Sequence, residues 1–202
     1  MATPHAGYQS THAFYESGAE AYEASTRYAD LRILQSELLR RVPLNARILD
    51  LGCGAGRDVR NLVASGYRAV GVDYAMTALH LAQKTLDGPF ILGDINRLPF
   101  AQKVFSAAWA VASLLHIRKS EIVNALYGIA EVVASNGLLF ASTKLGTGEC
   151  VDRDGRLFAY YQEGEWLTML REAMWCPVFA EVTQEARTDA EVNWLLTVSC
   201  RT

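Results

Sequence analysis

Residues 48–58 read ILDLGCGAGRD, and the rest of the fold is read outward from them. Ile48, Leu49 and Leu51 form a short apolar run of buried-strand type, which Gly52, Gly54 and Gly56 break into a turn that leads to helical sequence from near Arg57. Glycine permits positive φ and lets backbone approach a ligand where a Cβ would clash. The free N–H groups and positive dipole of a helix start favour a carboxylate or phosphate. Strand, glycine loop and helix together point to a nucleotide-like ligand. The dinucleotide fingerprint is G-x-G-x-x-G with an acid about 20 positions further on. Here the loop is G-x-G-x-G, Arg57 stands where the third glycine belongs, and Asp50 lies at the strand end just before the loop. Dinucleotide binding is thereby disfavoured.

Downstream, strand and helix signals alternate. A helix over Asp58–Ser65 is closed by Gly66, a strand over Tyr67–Val72 ends in Asp73, and a further helix begins near Met76. Phe90–Leu92 reads as a third strand, followed by Gly93-Asp94-Ile95-Asn96. Phe105–Val111 reads as a fourth, running into Ala112-Ser113-Leu114-Leu115-His116-Ile117. Ile122, Leu126, Ile129 and Val133 make a helical stripe that Asn136-Gly137 is expected to end, with Leu138–Thr143 as the fifth strand. Trp166–Trp175 reads as a helix, and Val178–Arg187 and Val192–Arg201 read as two consecutive strands. Ahead of the glycine loop, His12–Ala24 is amphipathic and aromatic-rich. Leu31, Leu34, Leu38 and Leu39 recur at helical spacing until Pro43 stops them. Such alternation implies a parallel sheet with helices on both faces and a ligand at the carboxyl ends of the strands.

The loop resembles the first motif of class I S-adenosylmethionine-dependent methyltransferases, D-x-G-x-G-x-G, and the resemblance continues in order over nearly the whole chain. It implies a doubly wound seven-stranded, mostly parallel sheet with a C-terminal antiparallel hairpin, in one domain over 1–202: an N-terminal helical cap (1–43) and a Rossmann-like core (44–202). It implies S-adenosyl-L-methionine as cofactor, held by Asp50, Gly52, Cys53, Gly54, Gly56 and Arg57 of the first motif. Asp73 would accept the ribose hydroxyls, with Tyr74 beside it. Asp94 would bond the adenine amino group, and Ile95 would flank the ring. Ala110 and Leu115 from the fourth strand and its end, and Tyr15 and Tyr22 from the cap, complete that set. Each position also has a plainer reading: Asp73 as an N-cap of the next helix, Asp94 as an ordinary turn residue, Tyr15 and Tyr22 as helix packing. As a strand-tip group, Asp73 is expected to matter little for stability.

His116 and Tyr160 are the candidate catalytic residues. His116 stands where relatives carry a leucine-histidine pair beside the transferring methyl, although a lone histidine at a strand end is as readily a hydrogen-bonded linker. Lys144, Arg156 and Tyr161 are further candidates for an acceptor pocket. The stretch Ser142–Tyr161, with the GRD after the loop and ASLLH after the fourth strand, is similar to a group of compact bacterial methyltransferases. More distantly the chain is similar to tellurite-resistance and ubiquinone/menaquinone-biosynthesis methyltransferases. The implied reaction is methyl transfer to a small-molecule acceptor. The alternatives are a non-catalytic S-adenosylmethionine-binding module and a dinucleotide-dependent oxidoreductase.

Composition is consistent with this. The chain has 202 residues, half of them hydrophobic, with 19 basic and 22 acidic residues and a net charge of −3. One domain with its own core is expected, without nucleic acid as partner. No apolar run approaches the ~20 residues of a membrane span, and the N-terminus lacks signal-peptide character, so a cytoplasmic monomer or homodimer is expected. Cys53, Cys150, Cys176 and Cys200 are scattered without a C-x-x-C, which suggests reduced thiols and no metal site.

Overall fold

A computed structural model describes residues 6–26, 31–186 and 191–202. The strands of the main sheet are β1 (Arg47–Leu51), β2 (Arg68–Asp73), β3 (Phe90–Leu92), β4 (Phe105–Val111), β5 (Val133–Lys144), β8 (Trp175–Ala186) and β9 (Glu191–Arg201). Between β5 and β8 the chain forms a separate two-stranded hairpin of β6 (Glu149–Val151) and β7 (Leu157–Ala159). The seven strands lie in the order β3-β2-β1-β4-β5-β9-β8. The first five run parallel, and β9 pairs antiparallel with both β5 and β8. The helices are α1 (Ala6–Thr26), α2 (Arg32–Arg41), α3 (Arg57–Ala64), α4 (Met76–Thr85), α5 (Ile122–Val132) and α6 (Glu163–Glu172). The chain winds outward from β1 in both directions, so the order reverses between β1 and β4. The crevice at the carboxyl ends of these two strands is where such sheets take ligands.

Both faces of the sheet are covered, which is why the strands read as continuous apolar runs. Leu49, Leu51, Ala108, Ala110, Leu139 and Ala141 pack toward α5 and α6. Ile48, Ala107, Trp109, Phe140 and Val198 pack toward α2 and α3. Alternation along β1 therefore points Asp50 to the same face as Ile48, beside α3.

Three boundaries differ from the sequence expectation. Asn136-Gly137 does not end a helix. Helix α5 stops at Val132, β5 begins at Val133, and the register against β4 jumps from Phe105↔Val133 to Ala107↔Leu138. Asn136 has φ 62° there. The left-handed preference that marks a helix end marks a β-bulge equally well. Helix α6 begins earlier than Trp166, at Glu163, behind a capping box of Gln162 and Glu165. It ends at Glu172, after which Met174 (φ 68°) turns the chain, so Trp175 opens β8 rather than closing a helix. The far end of the expected strand, Arg187, lies outside the described residues.

Trp175 is 1% exposed and its indole N–H donates to Leu126 O of α5 at 2.9 Å. Trp175→Phe removes that bond and part of a packed volume. The expected cost is about 2 kcal/mol of unfolding free energy by chemical denaturation. An unchanged midpoint would show that β8 does not anchor α5 through this residue.

Candidate active site

The glycine loop leaves β1 at its carboxyl end. Its Gly52 and Cys53 N–H groups both donate to Val72 O of β2, at 2.8 and 3.1 Å. Gly52, Gly54 and Gly56 all have positive φ, at 72°, 52° and 79°. Their surroundings differ. A Cβ on Gly52 would lie 2.7 Å from Ser113 Cβ, and one on Gly56 would lie 3.0 Å from both Ala82 Cβ and Phe90 Cζ. One on Gly54 would meet nothing within 4 Å. Packing against the protein demands the outer two glycines, and the middle one borders open space.

Asp73, at the tip of β2, is buried, and its carboxylate bridges two backbone donors. Oδ2 accepts from Gly54 N–H at 2.8 Å and Oδ1 from Ala75 N–H at 2.9 Å. Burial raises its carboxyl above the usual range, and these N–H groups pull it back down. Asp73 thus closes the turn that leads into α4, whose N-cap is Ala75, and ties down the loop, and these two bonds argue that it contributes to stability as well as to the site. Tyr74 stacks near His12, with ring centroids 4.9 Å apart and His12 Nε2 3.1 Å from Tyr74 O. Asp94 makes a turn in which the Asn96 N–H donates to Oδ1 at 2.9 Å, and half-buried Ile95 packs on the core beside it.

Behind the loop, buried polar groups accumulate. Asp50 is 2% exposed, and while the Val59 N–H bonds its carboxylate, Oδ2 has no hydrogen-bond partner. Burial first, then Asp58, raises its carboxyl well above the usual range, against the pull of Arg57. Ser113 Oγ, beside Gly52, is likewise buried without a partner. Asp58 accepts from Arg57 Nε at 2.6 Å and from Trp109 Nε1 at 2.9 Å. A further Arg57 N–H donates to Thr26 O, at the end of α1, at 2.8 Å. Arg57 therefore fastens the cap to the loop. The Cys53 thiol is pushed up by burial and by Asp50 and Asp73, and it lies where a Cβ on Gly71 would come within 2.7 Å of its sulfur. A small residue is what the position requires. Ala110 is wholly buried in β4 on the α5 side, and Leu115 is buried in the turn Leu114–His116.

Helix α1 lies across the carboxyl ends of the strands. Glu16 accepts from Thr77 N–H and Oγ1–H at the start of α4. Thr11 Oγ1 accepts from Leu157 N–H at 2.8 Å, and Ser10 Oγ donates to Gly155 O. Tyr15 Oη is 2.8 Å from His116 Nε2, and the Tyr15 and Tyr22 rings meet edge to face at 5.0 Å. His116 Nδ1 is 2.6 Å from Leu157 O. His116 keeps an accessible edge, but both nitrogens, where an imidazolium carries its charge, are enclosed. Burial pushes the imidazole down to about 4, assisted by the positive charges of Arg156 and Lys144 and opposed by Leu157 O and Asp152. Neutral imidazole is therefore the form at pH 7. Phe158 packs 4.8 Å from His116, with Lys144 Nζ 4.1 Å over its ring. Arg156 lies over Phe14 at 4.4 Å and pairs with Asp152 at 2.7 Å.

The sequence candidates thus form two groups. Asp50, Gly52, Gly54, Asp73 and Tyr74 line or back the loop. Tyr15, Tyr22, His116, Lys144 and Arg156 gather beside it under the cap. Tyr160 is half-buried and accepts a weak bond from the Cys150 thiol at 3.8 Å, its ring 6.3 Å from Phe158. Tyr161 belongs to the core: it is wholly buried against Trp166, with Lys119 over its ring. Sequence reasoning missed Ser113, Trp109, Thr11 and Phe158. Ser113 and Phe158 lie in stretches quoted for the resemblance but carry no role there, Trp109 and Thr11 lie in none, and only the register and the helix crossing bring the four into the site. A surface groove of about 550 Å³ lies at the opposite end of the sheet, lined by Arg41, Pro43, Ser106, Asn136, Val178 and Cys200. It holds none of these groups.

Comparison with known proteins agrees with this geometry. Residues 48–137, β1 to the bulge of β5, match the family described as methyltransferase domain. The chain is 32% identical over 111 residues to sterol methyltransferase-like 2 of Botryococcus braunii, covering 51% of this chain and 28% of that protein. It is 27% identical over 147 residues to an O-methyltransferase of Pyrenophora dematioidea, covering 69% and 53%. The chain thus spans about half or less of the length of these relatives. Among solved structures, 1,6-didemethyltoxoflavin-N1-methyltransferase of Burkholderia thailandensis, with bound 1,6-didemethyltoxoflavin and S-adenosylhomocysteine, superposes with TM-score 0.82 at 22% identity, over 100% of this chain and 92% of that one. An S-adenosylmethionine-dependent methyltransferase from Methanosarcina mazei gives 0.74 at 15%, over 82% and 96%. By its sheet order the chain shares the fold of S-adenosylmethionine-dependent methyltransferases, and its segment from β1 into β5, glycine loop included, is similar to the methyltransferase domain.

Proposed function

We propose that this chain is a single methyltransferase domain that uses S-adenosylmethionine to methylate a small molecule. The observation that carries the reading is the open space over Gly54, bounded by the Asp73 carboxylate and backed by two buried polar atoms without partners, Asp50 Oδ2 and Ser113 Oγ. Buried polar atoms are satisfied in finished sites, so two orphans beside a glycine cradle fit a polar ligand. The cofactor supplies a methyl group already activated on a sulfonium. The chain must then hold the acceptor in line and keep water out. In this reading Asp73 keeps lone pairs for two ribose hydroxyls, Gly54 allows close backbone approach, and Asp94 and Ile95 meet the base. Asp50 offers its oxygen to a cationic group, and α1 closes the crevice. A small acceptor suits a crevice narrowed by Tyr15, Tyr22 and Phe158. Likeness in fold to 1,6-didemethyltoxoflavin-N1-methyltransferase, whose structure contains bound 1,6-didemethyltoxoflavin, supports that size class.

S-adenosylhomocysteine is expected to bind with micromolar affinity by calorimetry, and NAD far more weakly. The reverse preference would end this reading.

Asp73→Ala is expected to cost about 2–4 kcal/mol of cofactor affinity, by removing charge-assisted bonds to the ribose. It should also lower unfolding free energy by about 2 kcal/mol, because two backbone N–H groups lose their acceptor. Gly54→Ala meets no protein atom within 4 Å and should lose cofactor binding at about 1 kcal/mol of left-handed strain. Normal binding by a folded Gly54→Ala variant would move the ligand elsewhere.

A further inference from the structure

His116 has no ring nitrogen left for a substrate. Leu157 O can only accept, so at 2.6 Å the proton must be on Nδ1. Nε2 is then an acceptor, and the group 2.8 Å from it is the Tyr15 hydroxyl, which must donate. Leu157 is fixed from the other side as well, because its N–H bonds Thr11, one turn before Tyr15 on the same face of α1. One residue of β7 therefore aligns both halves of the pair. With its proton committed to His116, Tyr15 Oη turns its lone pairs toward the Tyr22 hydroxyl and the Arg156 guanidinium, which hydrogen-bond it, and an acceptor reaches Oη by taking the place of one of them.

We propose that Tyr15 Oη is the catalytic group that meets the acceptor, that His116 is the positioning residue through which it acts, and that the acceptor is a neutral nucleophile with a transferable O–H or N–H proton. This rests on the methyltransferase reading and adds to it the class of acceptor. Tyr15 Oη takes the acceptor proton as the new bond to carbon forms and the methyl–sulfur bond breaks, the bonding pair staying on sulfur. At the same time the proton Tyr15 already carries passes to His116 Nε2. One positive charge leaves the sulfur and one appears on the imidazole, so the site's total charge does not change. That balance lets an enclosed imidazole, faced by the Arg156 and Lys144 cations and the Asp152 carboxylate, accept a proton during the step while resting neutral. A thiolate or other anionic acceptor would have no proton to give and no use for the pair.

Two measurements test it. Nitrogen-15 NMR of the histidine ring, in the protein with S-adenosylhomocysteine, should show a Nδ1-protonated His116 at pH 7 whose Nε2 signal shifts in Tyr15→Phe. A Nε2-protonated ring would overturn the pair. Single-turnover transfer from labelled S-adenosylmethionine to a low-molecular-weight cell extract should be about 100-fold slower in Tyr15→Phe and His116→Gln. Affinity for S-adenosylhomocysteine should stay within about threefold, because Phe keeps the ring contacts with Phe14 and Tyr22. The wild-type rate should fall as His116 gains its proton near pH 4, and that acid limb should vanish in His116→Gln. Wild-type rate in a folded Tyr15→Phe, or an unchanged acid limb in His116→Gln, would overturn the proposal. Cofactor binding with no transfer by wild type would overturn the activity reading beneath it.

Discussion

The Asp73 carboxylate holds the site together. One oxygen binds the glycine loop through Gly54 N–H and the other the entry of α4 through Ala75 N–H, so β1, β2 and α4 share one anchor at the carboxyl edge of the sheet. The loop cannot make these contacts with ordinary residues. Gly52 is pressed on Ser113 and Gly56 on Phe90 and Ala82, both at positive φ. Placing a buried carboxylate there is costly in itself, as its raised proton affinity records, and the two N–H groups offset part of that cost. What remains exposed to a ligand is the face over Gly54.

The cap depends on the same edge. Arg57 ties the loop to the end of α1, Glu16 ties its middle to α4, and Thr11 and Tyr15 tie it to β7 and His116. Each tie is polar, and the Thr11 bond to Leu157 is fully buried. Helix α1 is thereby fixed over the crevice, which suits a reaction in which positioning and exclusion of water do most of the work.

Much of this was legible in the sequence because its signals are local. The strand–glycine–helix run of residues 48–58, the acid ending β2 and the alternation that follows are consequences of backbone geometry, which composition records directly. The misread points are those where one local signal serves two structures. Asn136-Gly137 favours left-handed backbone and turned out to shape a bulge in β5, not a helix end. Trp175 continued an apolar stripe but sits past a turn at Met174. In the crevice, the loop and the acids that edge it were legible, and the side chains gathered under α1 were not. Arg57, expected to contact the cofactor, bonds Asp58 and Thr26 O in the structure, contacts that the sequence did not foretell. The Tyr15–His116 pair joins residues 101 apart, and the Ser113 contact with Gly52 depends on β1 and β4 being neighbours. No spacing rule carries that information.

The space over Gly54, edged by Asp73, is the proposed seat of S-adenosylmethionine. A crystal structure of the protein with S-adenosylhomocysteine tests it most directly. The ligand is expected across the carboxyl ends of β1, β2 and β4, with ribose hydroxyls on Asp73, its base beside Ile95, and Asp50 Oδ2 and Ser113 Oγ newly partnered. A ligand in the groove beside Asn136 and Cys200, or one that leaves Asp73 uncontacted, would contradict it.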